Sequence, residues 1–305
     1  MKKRKNATAD AAAAKIRNNP NQKGNAVGDA YRVRFEIMIT REIIDVHSHI
    51  WPDKIAVRAA DNIVNYYSLA RQGDGSIEGI FRGAEGLDNI RFVISSATLR
   101  PDIEHARVGN DFLLGVAEKD PHFIPLASFH PDIPFDETVA ELERCKALGS
   151  KGIKIHSDFQ RFYIDSPNAM EVYKEAARLG LPILFHVGDK NTDFSTPKRV
   201  CNILEKLPEL TVIAAHMCGY SVWDEAEEYL IGTPVYTDTS EALLGMDGKG
   251  LYRLIEKHGV DKVLFGSDYP LWNTRFAFDQ IESIGLSEAE KDAIYSGNAK
   301  KLFGV

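Results

Sequence analysis

Residues 42–50 read Glu-Ile-Ile-Asp-Val-His-Ser-His-Ile. The branched residues Ile43, Ile44 and Val46 mark a short buried strand, and His47 and His49 stand at its end. Alternate residues of a strand point to one side, so both imidazoles project together, about as far apart as two ligands of one metal require. Asp45 shares their parity one pleat deeper, where it either holds a ligand histidine's second nitrogen or serves the structure. Alone, a His-x-His pair also fits an ordinary polar strand end. The rest of the chain has to decide between the two.

The elements that would position such residues recur along the chain. From residue 42 onward short apolar strands alternate with amphipathic helices. Strands are expected at 42–50, 90–95, 123–129, 152–156, 182–186, 211–215, 235–238 and 262–266. Helices are expected near 53–70, 76–83, 102–118, 136–148, 167–179, 197–207, 221–230, 249–258, 287 onward and 298–303. Asp53, Asp136, Ser166, Thr196 and Ser221 are read as N-caps, and Ser287 to Glu290 as a capping box. In the first helix Ile55, Ala59, Ile63 and Tyr66 fall near one face. Eight strands alternating with helices predict an α/β fold, a single-domain (β/α)8 TIM barrel over residues 38–305. A doubly wound open sheet lacks support, because no Gly-x-Gly-x-x-Gly loop follows the first strand.

Composition narrows the class. The chain has 305 residues, 44% of them hydrophobic, and a net charge of −7. That is enough for a sizeable core, and an acidic body argues against a nucleic-acid partner. No apolar run approaches the length of a membrane span, so a membrane partner is not expected. Three cysteines, Cys145, Cys201 and Cys218, form no Cys-x-x-Cys pair, which fits a reducing cytoplasm. Residues 1–37 stand apart: nine Lys/Arg against three Asp/Glu, with an Asn/Pro/Gln/Gly-rich stretch. They read as a disordered basic tail, with Met38 as a candidate functional start.

In such a barrel the chemistry sits at the C-terminal strand ends. Those ends carry His47 and His49 on strand one, Lys154 and His156 on four and His186 on five. His216 ends strand six, Asp238 strand seven, and Asp268 lies just beyond eight. Each has a plain reading as a hydrogen-bonded loop residue or cap. Jointly that reading fails, since five of the nine histidines would lie on one rim. Imidazole plus carboxylate is the ligand set of zinc and its first-row neighbours.

Asp-Val-His-Ser-His, Gly-Ile-Lys-Ile-His, Ala-Ala-His-Met-Cys-Gly, Phe-Gly-Ser-Asp-Tyr-Pro and Gly-Asn-Ala-Lys-Lys-Leu-Phe-Gly together resemble the amidohydrolase superfamily. The resemblance is to the branch of aminocarboxymuconate-semialdehyde decarboxylase-like proteins and small metal-dependent hydrolases, and it covers residues 42–305. It implies that His47, His49, His186 and Asp268 bind one divalent metal, zinc first, with manganese or iron as alternatives. His216 would orient the water or polarise the substrate, and Asp268 would also move the proton. The superfamily's binuclear members imply a second arrangement, in which a carboxylated Lys154 bridges two metals.

The expected activity is hydrolysis of a small, carboxylated molecule by a metal-activated water. The alternative is a non-hydrolytic carboxy-lyase on the same site. A metal-dependent nuclease and a non-catalytic barrel are weaker readings, the first because strand four lacks a glutamate, the second because every ligand type is present. Arg100, Arg161 and Lys190 follow strands two, four and five, where they could bind a carboxylate, as could Lys154 and His156. Relatives of this branch form dimers, so a homodimer is a further expectation.

Overall fold

The computed structural model describes residues 41–305, and the expected basic tail and Met38 start lie outside the described residues. Eight parallel strands form in chain order: β1 (Ile43–His49), β2 (Ile90–Ser95), β3 (Phe123–Pro125), β4 (Ile153–Ile155), β5 (Ile183–Phe185), β6 (Val212–Ala214), β7 (Tyr236–Asp238) and β8 (Val263–Leu264). β1 to β3 pair in sequence, and so do β4 to β8. Two seams join these arcs into a barrel. At one, the Ala127 amide donates to Gly152 and the Lys154 amide to Ala127, with a parallel bridge between Ala127 and Ile153. At the other, Val46 donates to Phe265 and Asp268 to His47, with a bridge between Ser48 and Tyr269.

The core has two shells. Strand residues such as Ile44, Val46, Val93, Leu184, Ile213 and Leu264 fill the barrel interior. Ile43, Phe92, Ile153, Ile183, Phe185 and Val263 face outward onto the helices. Strands buried on both faces read as continuous apolar runs, which is why each was visible in sequence.

Strand starts agree with expectation to within one residue, but strands three to eight are shorter than expected. His156, His186 and His216 lie just past the last ladder residues of β4, β5 and β6, whereas Asp238 stays paired with Leu264. Of the N-caps, Thr196 and Ser287 close side-chain bonds to the backbone, and Ser287 with Glu290 forms the capping box. Asp136 does not cap: its helix runs Phe135–Ala147 from Pro134. Asp53 and Ser221 also fail as caps, since those helices, Asp53–Tyr67 and Trp223–Tyr229, start after Pro52 and Val222. Ser166 precedes Pro167 as expected but makes no side-chain cap. A helix at Thr274–Glu282 has no counterpart in the sequence reading. Its buried face, Thr274, Ala277, Phe278 and Ile281, is short. No helix among the described residues is long and apolar enough to cross a membrane.

Candidate metal and ligand site

β1 carries a register irregularity between Asp45 and Ser48. A bulge re-aims a side chain, and here it falls beside His47. Both histidine rings still reach Asp268: Nε2 of His47 lies 3.4 Å and Nε2 of His49 3.3 Å from its Oδ1. Asp45 grips no imidazole. It accepts from the amides of His47 (3.2 Å) and Ser267 (3.0 Å) and from the hydroxyls of Ser267 and Thr274, tying β1 to the chain after β8. Burial nevertheless raises its carboxyl to about 6, those donors restraining the shift.

The residues after β6, β7 and β8 leave their strands through left-handed backbone. His216, Glu241 and Asp268 have φ of 60°, 58° and 64°. Such conformations cost about 1–3 kcal/mol each and cluster at functional sites. Gly266 permits the closest approach: a Cβ there would stand 3.1 Å from His47 Cβ and 3.2 Å from Asp238 Cβ.

Hydrogen-bond accounting assigns the imidazole tautomers. Burial would raise the Asp238 carboxyl, but the His47 ring and the Ser240 hydroxyl hold it well below the usual range. His47 Nδ1 therefore donates to Asp238 Oδ2 at 3.0 Å. His49 Nδ1 faces the Ser95 carbonyl at 3.2 Å, and His186 Nε2 faces the Gly188 carbonyl at 2.9 Å. A carbonyl only accepts, so those nitrogens carry the protons. Ser240 Oγ donates to Asp238, so it accepts from His216 Nδ1 at 2.8 Å.

Four bare nitrogens remain: Nε2 of His47, His49 and His216, and Nδ1 of His186. The last two lie 3.0 Å apart. One donor atom each from His47, His216 and Asp268 falls within 4.8 Å of the others. Burial would raise Asp268 too, but the rings of His47, His49 and His216 hold it well below the usual carboxylate range. Apart from the Lys154 amine at His47 Nε2, these lone pairs and the carboxylate converge with no hydrogen between them and repel, and a cation relieves them. The donor set therefore fits a divalent metal. The Lys154 amine supplies part of that charge, its Nζ lying 2.8 Å from His47 Nε2.

His156 lies flat between Phe159 and His186, with ring centroids 3.9 and 4.0 Å away. Burial, then the charge of His186, holds it neutral, well below the usual imidazole range. A cavity of about 270 Å³ opens on His49, Lys154 and His156 and is walled by Trp51, Ile63, Tyr66, Leu99 and Phe159. A smaller space beside it is lined by His47, Tyr67, His186 and Asp268. In the first helix, Ala56 and Ala60 pack into the body. Of the apolar residues expected near one face, Ala59, Ile63 and Tyr66 wall the cavity and Ile55 is exposed.

The structure thus brings together His47, His49, Lys154, His156, His186, His216, Asp238 and Asp268. It does not bring in the expected cations. Arg100 is exposed and turned to His105, Arg161 is exposed with φ 61°, and Lys190 is exposed. Strand order put them near the rim, but their loops turn outward, and none lines either cavity.

Three residues escaped the sequence reading. Ser240 links His216 to Asp238, and Tyr67 reaches His156 and His186 from the first helix. Buried Glu241 lies 3.7 Å from His216 Nδ1 and accepts from Trp272 Nε1 at 3.2 Å. Burial, then the Asp268 charge, pushes its carboxyl well above the ordinary range. The polar run Asp-Thr-Ser-Glu after β7 was the available signal for Ser240 and Glu241, whereas Tyr67 looked like one more helix-end aromatic.

Comparison with known proteins places this geometry. A family model described as amidohydrolase matches residues 44–305. A gamma-resorcylate decarboxylase of a Polaromonas species is 26% identical over 256 residues, 66% of this chain and 76% of that protein. A 2-amino-3-carboxymuconate-6-semialdehyde decarboxylase of Dictyostelium discoideum is 26% identical over 248 residues, 67% of each chain. The solved structure of a dihydroxybenzoic acid decarboxylase from Polaromonas, with bound manganese and the inhibitor 2-nitroresorcinol, superposes with a TM-score of 0.64 at 21% identity. It covers 87% of this chain and 97% of that one. With six-sevenths of its length matched by one family model, the chain belongs to the amidohydrolase family.

Proposed function

We propose that this protein is a metal-dependent, non-hydrolytic decarboxylase of a small planar carboxylate, an aromatic or dienoic acid. The observation that carries the reading is the convergence of bare imidazole nitrogens and Asp268 beside a cavity with flat aromatic walls. The sequence alone favoured hydrolysis. The curated relatives named above are decarboxylases, and that moves the reading to carbon–carbon cleavage.

His47, His49, His186 and Asp268 would hold one divalent metal, with His216 Nε2 3.0 Å from His186 Nδ1. The metal, when bound, supplies a Lewis-acid centre for the substrate's oxygens. Imidazole and carboxylate ligands suit zinc, manganese or iron. Manganese is the ion in the Polaromonas structure, and nothing in the comparisons singles out zinc.

This chain's side chains do the rest. Lys154 faces the larger cavity and among the described residues is the one Lys or Arg lining it, so it pairs with the substrate carboxylate. Trp51, Tyr66 and Phe159 offer ring faces to a planar substrate and exclude water. Loss of carbon dioxide leaves its electron pair on the former carboxyl-bearing carbon, which must take up one proton. Asp268 lines the inner space and is the group within reach to carry it. His216, hydrogen-bonded to Ser240 and 3.7 Å from the Glu241 carboxyl, would resupply that proton.

The test is carbon dioxide release by the manganese-loaded protein from a panel of hydroxybenzoates and dienoic acids. Release from at least one member, with the decarboxylated product in equal amount, is expected. Turnover of amides or esters with no carbon dioxide from any acid would return the site to hydrolysis.

A further inference from the structure

Two adjacent tyrosines end the first helix, and their hydroxyls have different fates. Tyr66 points its hydroxyl toward Asp189 Oδ2, 3.5 Å away, which accepts its proton. Tyr67 turns inward to the space lined by His47, His49, His186 and Asp268. Its hydrogen-bond neighbours among the described residues are His156 Nε2 at 3.2 Å and His186 Nε2 at 3.4 Å.

Neither nitrogen can accept. His156 Nδ1 receives the amide of Phe159 at 3.4 Å, capping the short helix Ser157–Gln160. Its single ring proton therefore sits on Nε2. His186 Nε2 faces the Gly188 carbonyl at 2.9 Å and carries a proton for the same reason. Tyr67 Oη accepts from His156 Nε2, the His186 proton going to the Gly188 carbonyl, and keeps its own hydrogen without an acceptor among the described residues. A hydroxyl so placed is paired in nearly all proteins, by protein, water or ligand.

We propose that the Tyr67 hydroxyl donates a hydrogen bond to an oxyanion of the ligand, and so selects ligands carrying a carboxylate or an adjacent phenolic oxygen against the imidazole cluster. The proposal rests on the carboxylate-site reading above, but it concerns binding and needs no turnover. The His156–Phe159 cap acquires a role in it. By fixing the His156 tautomer, the cap turns Tyr67 from a possible donor to histidine into a donor to the ligand.

The experiment is titration of the cobalt-substituted full chain with benzoate and with salicylate, followed by visible absorption of the metal. Benzoate offers the carboxylate alone, and salicylate adds the neighbouring oxygen. Tyr67→Phe keeps the ring contacts to Tyr66 and Tyr220, at centroid distances of 4.9 and 5.4 Å, and loses the hydroxyl, both the donor to the ligand and the acceptor for His156 Nε2. A hydrogen bond to a charged group is worth about a 10- to 100-fold change in affinity.

Weakening of both ligands by that factor assigns the carboxylate as acceptor, and weakening of salicylate alone assigns the phenolic oxygen. Metal content and melting temperature should stay at wild-type values, which a merely structural role would not predict. Unchanged affinity for both ligands in Tyr67→Phe overturns the proposal, and so does failure of the wild-type protein to bind either. Anion binding with a Tyr67 effect but no carbon dioxide from any acid would leave this proposal standing and remove the decarboxylase reading.

Discussion

At the floor of the site each imidazole has its outer nitrogen tied: His47 to Asp238, His49 to Ser95, His186 to Gly188 and His216 to Ser240. At the mouth the walls are Trp51, Tyr66, Leu99 and Phe159, and Leu99 is 52% exposed. The floor is held by directional bonds between backbone-anchored groups, and the mouth by ring faces and side-chain packing. Directional bonds fix tautomers and so fix which atoms face the ligand. Apolar walls set only shape. The contrast predicts that floor variants lose chemistry while mouth variants change the range of substrates.

The sharpest cut is at Asp268. Asp268→Asn keeps the shape and removes both charge and basic site, so turnover should fall by at least about 10²–10⁴-fold. Initial rates of carbon dioxide release beside metal analysis will show whether chemistry is lost before metal. A variant that turns over normally would move the proton carrier elsewhere.

Asp238→Asn tests the floor one bond further out. It removes the charge and one of two acceptor oxygens; with the remaining oxygen held by the amides of His216 and Ser240, the side-chain NH2 faces His47 Nδ1 and no longer keeps the proton there, and metal affinity should fall about 10- to 100-fold. Competition with a chelator measures this directly. An unchanged affinity would mean that His47 is oriented by packing alone.

At the mouth the expected effect is smaller and of another kind. Trp51→Ala should raise KM about tenfold for the preferred acid, with kcat and metal content nearly unchanged. Equal losses in kcat and metal would erase the distinction between floor and mouth.

The smallest effect concerns Lys154, which borders both regions. Burial pushes its ammonium down to about 8, the charges of Asp268, Asp238 and Glu241 limiting the fall. In the unfolded chain a lysine titrates near ~10.4. Between those values the unfolded chain holds a proton that the folded chain has released. Stability of the metal-free protein should therefore rise with pH across that interval, and the penalty is fully present below it. Lys154→Met should abolish that rise and melt higher near neutral pH. Parallel thermal melts of the two proteins across pH 7 to 10 test the sign.

The sequence by itself determined the barrel and most of its rim. Strands buried on both faces must be written as apolar runs, so all eight were legible, and so were the polar residues at the ends of strands one and four to eight, from His47 to Asp268. Ligand types were legible because imidazole and carboxylate are the donors available for this chemistry. Other features were decided only in three dimensions. Asp45 and Asp238 are both strand carboxylates in sequence, yet one ties backbone and the other orients His47, because the closure of β8 on β1 and the gap at Gly266 set their neighbours. The Ile63 and Tyr66 face is legible as one side of a helix, but periodicity reports an apolar surface and not whether protein or ligand covers it. Arg100 and Arg161 had the right chemistry in the right strand order, and their loops turned them to solvent. Tyr67 depended on two tautomers, each set by a carbonyl or amide that only the folded chain brings near.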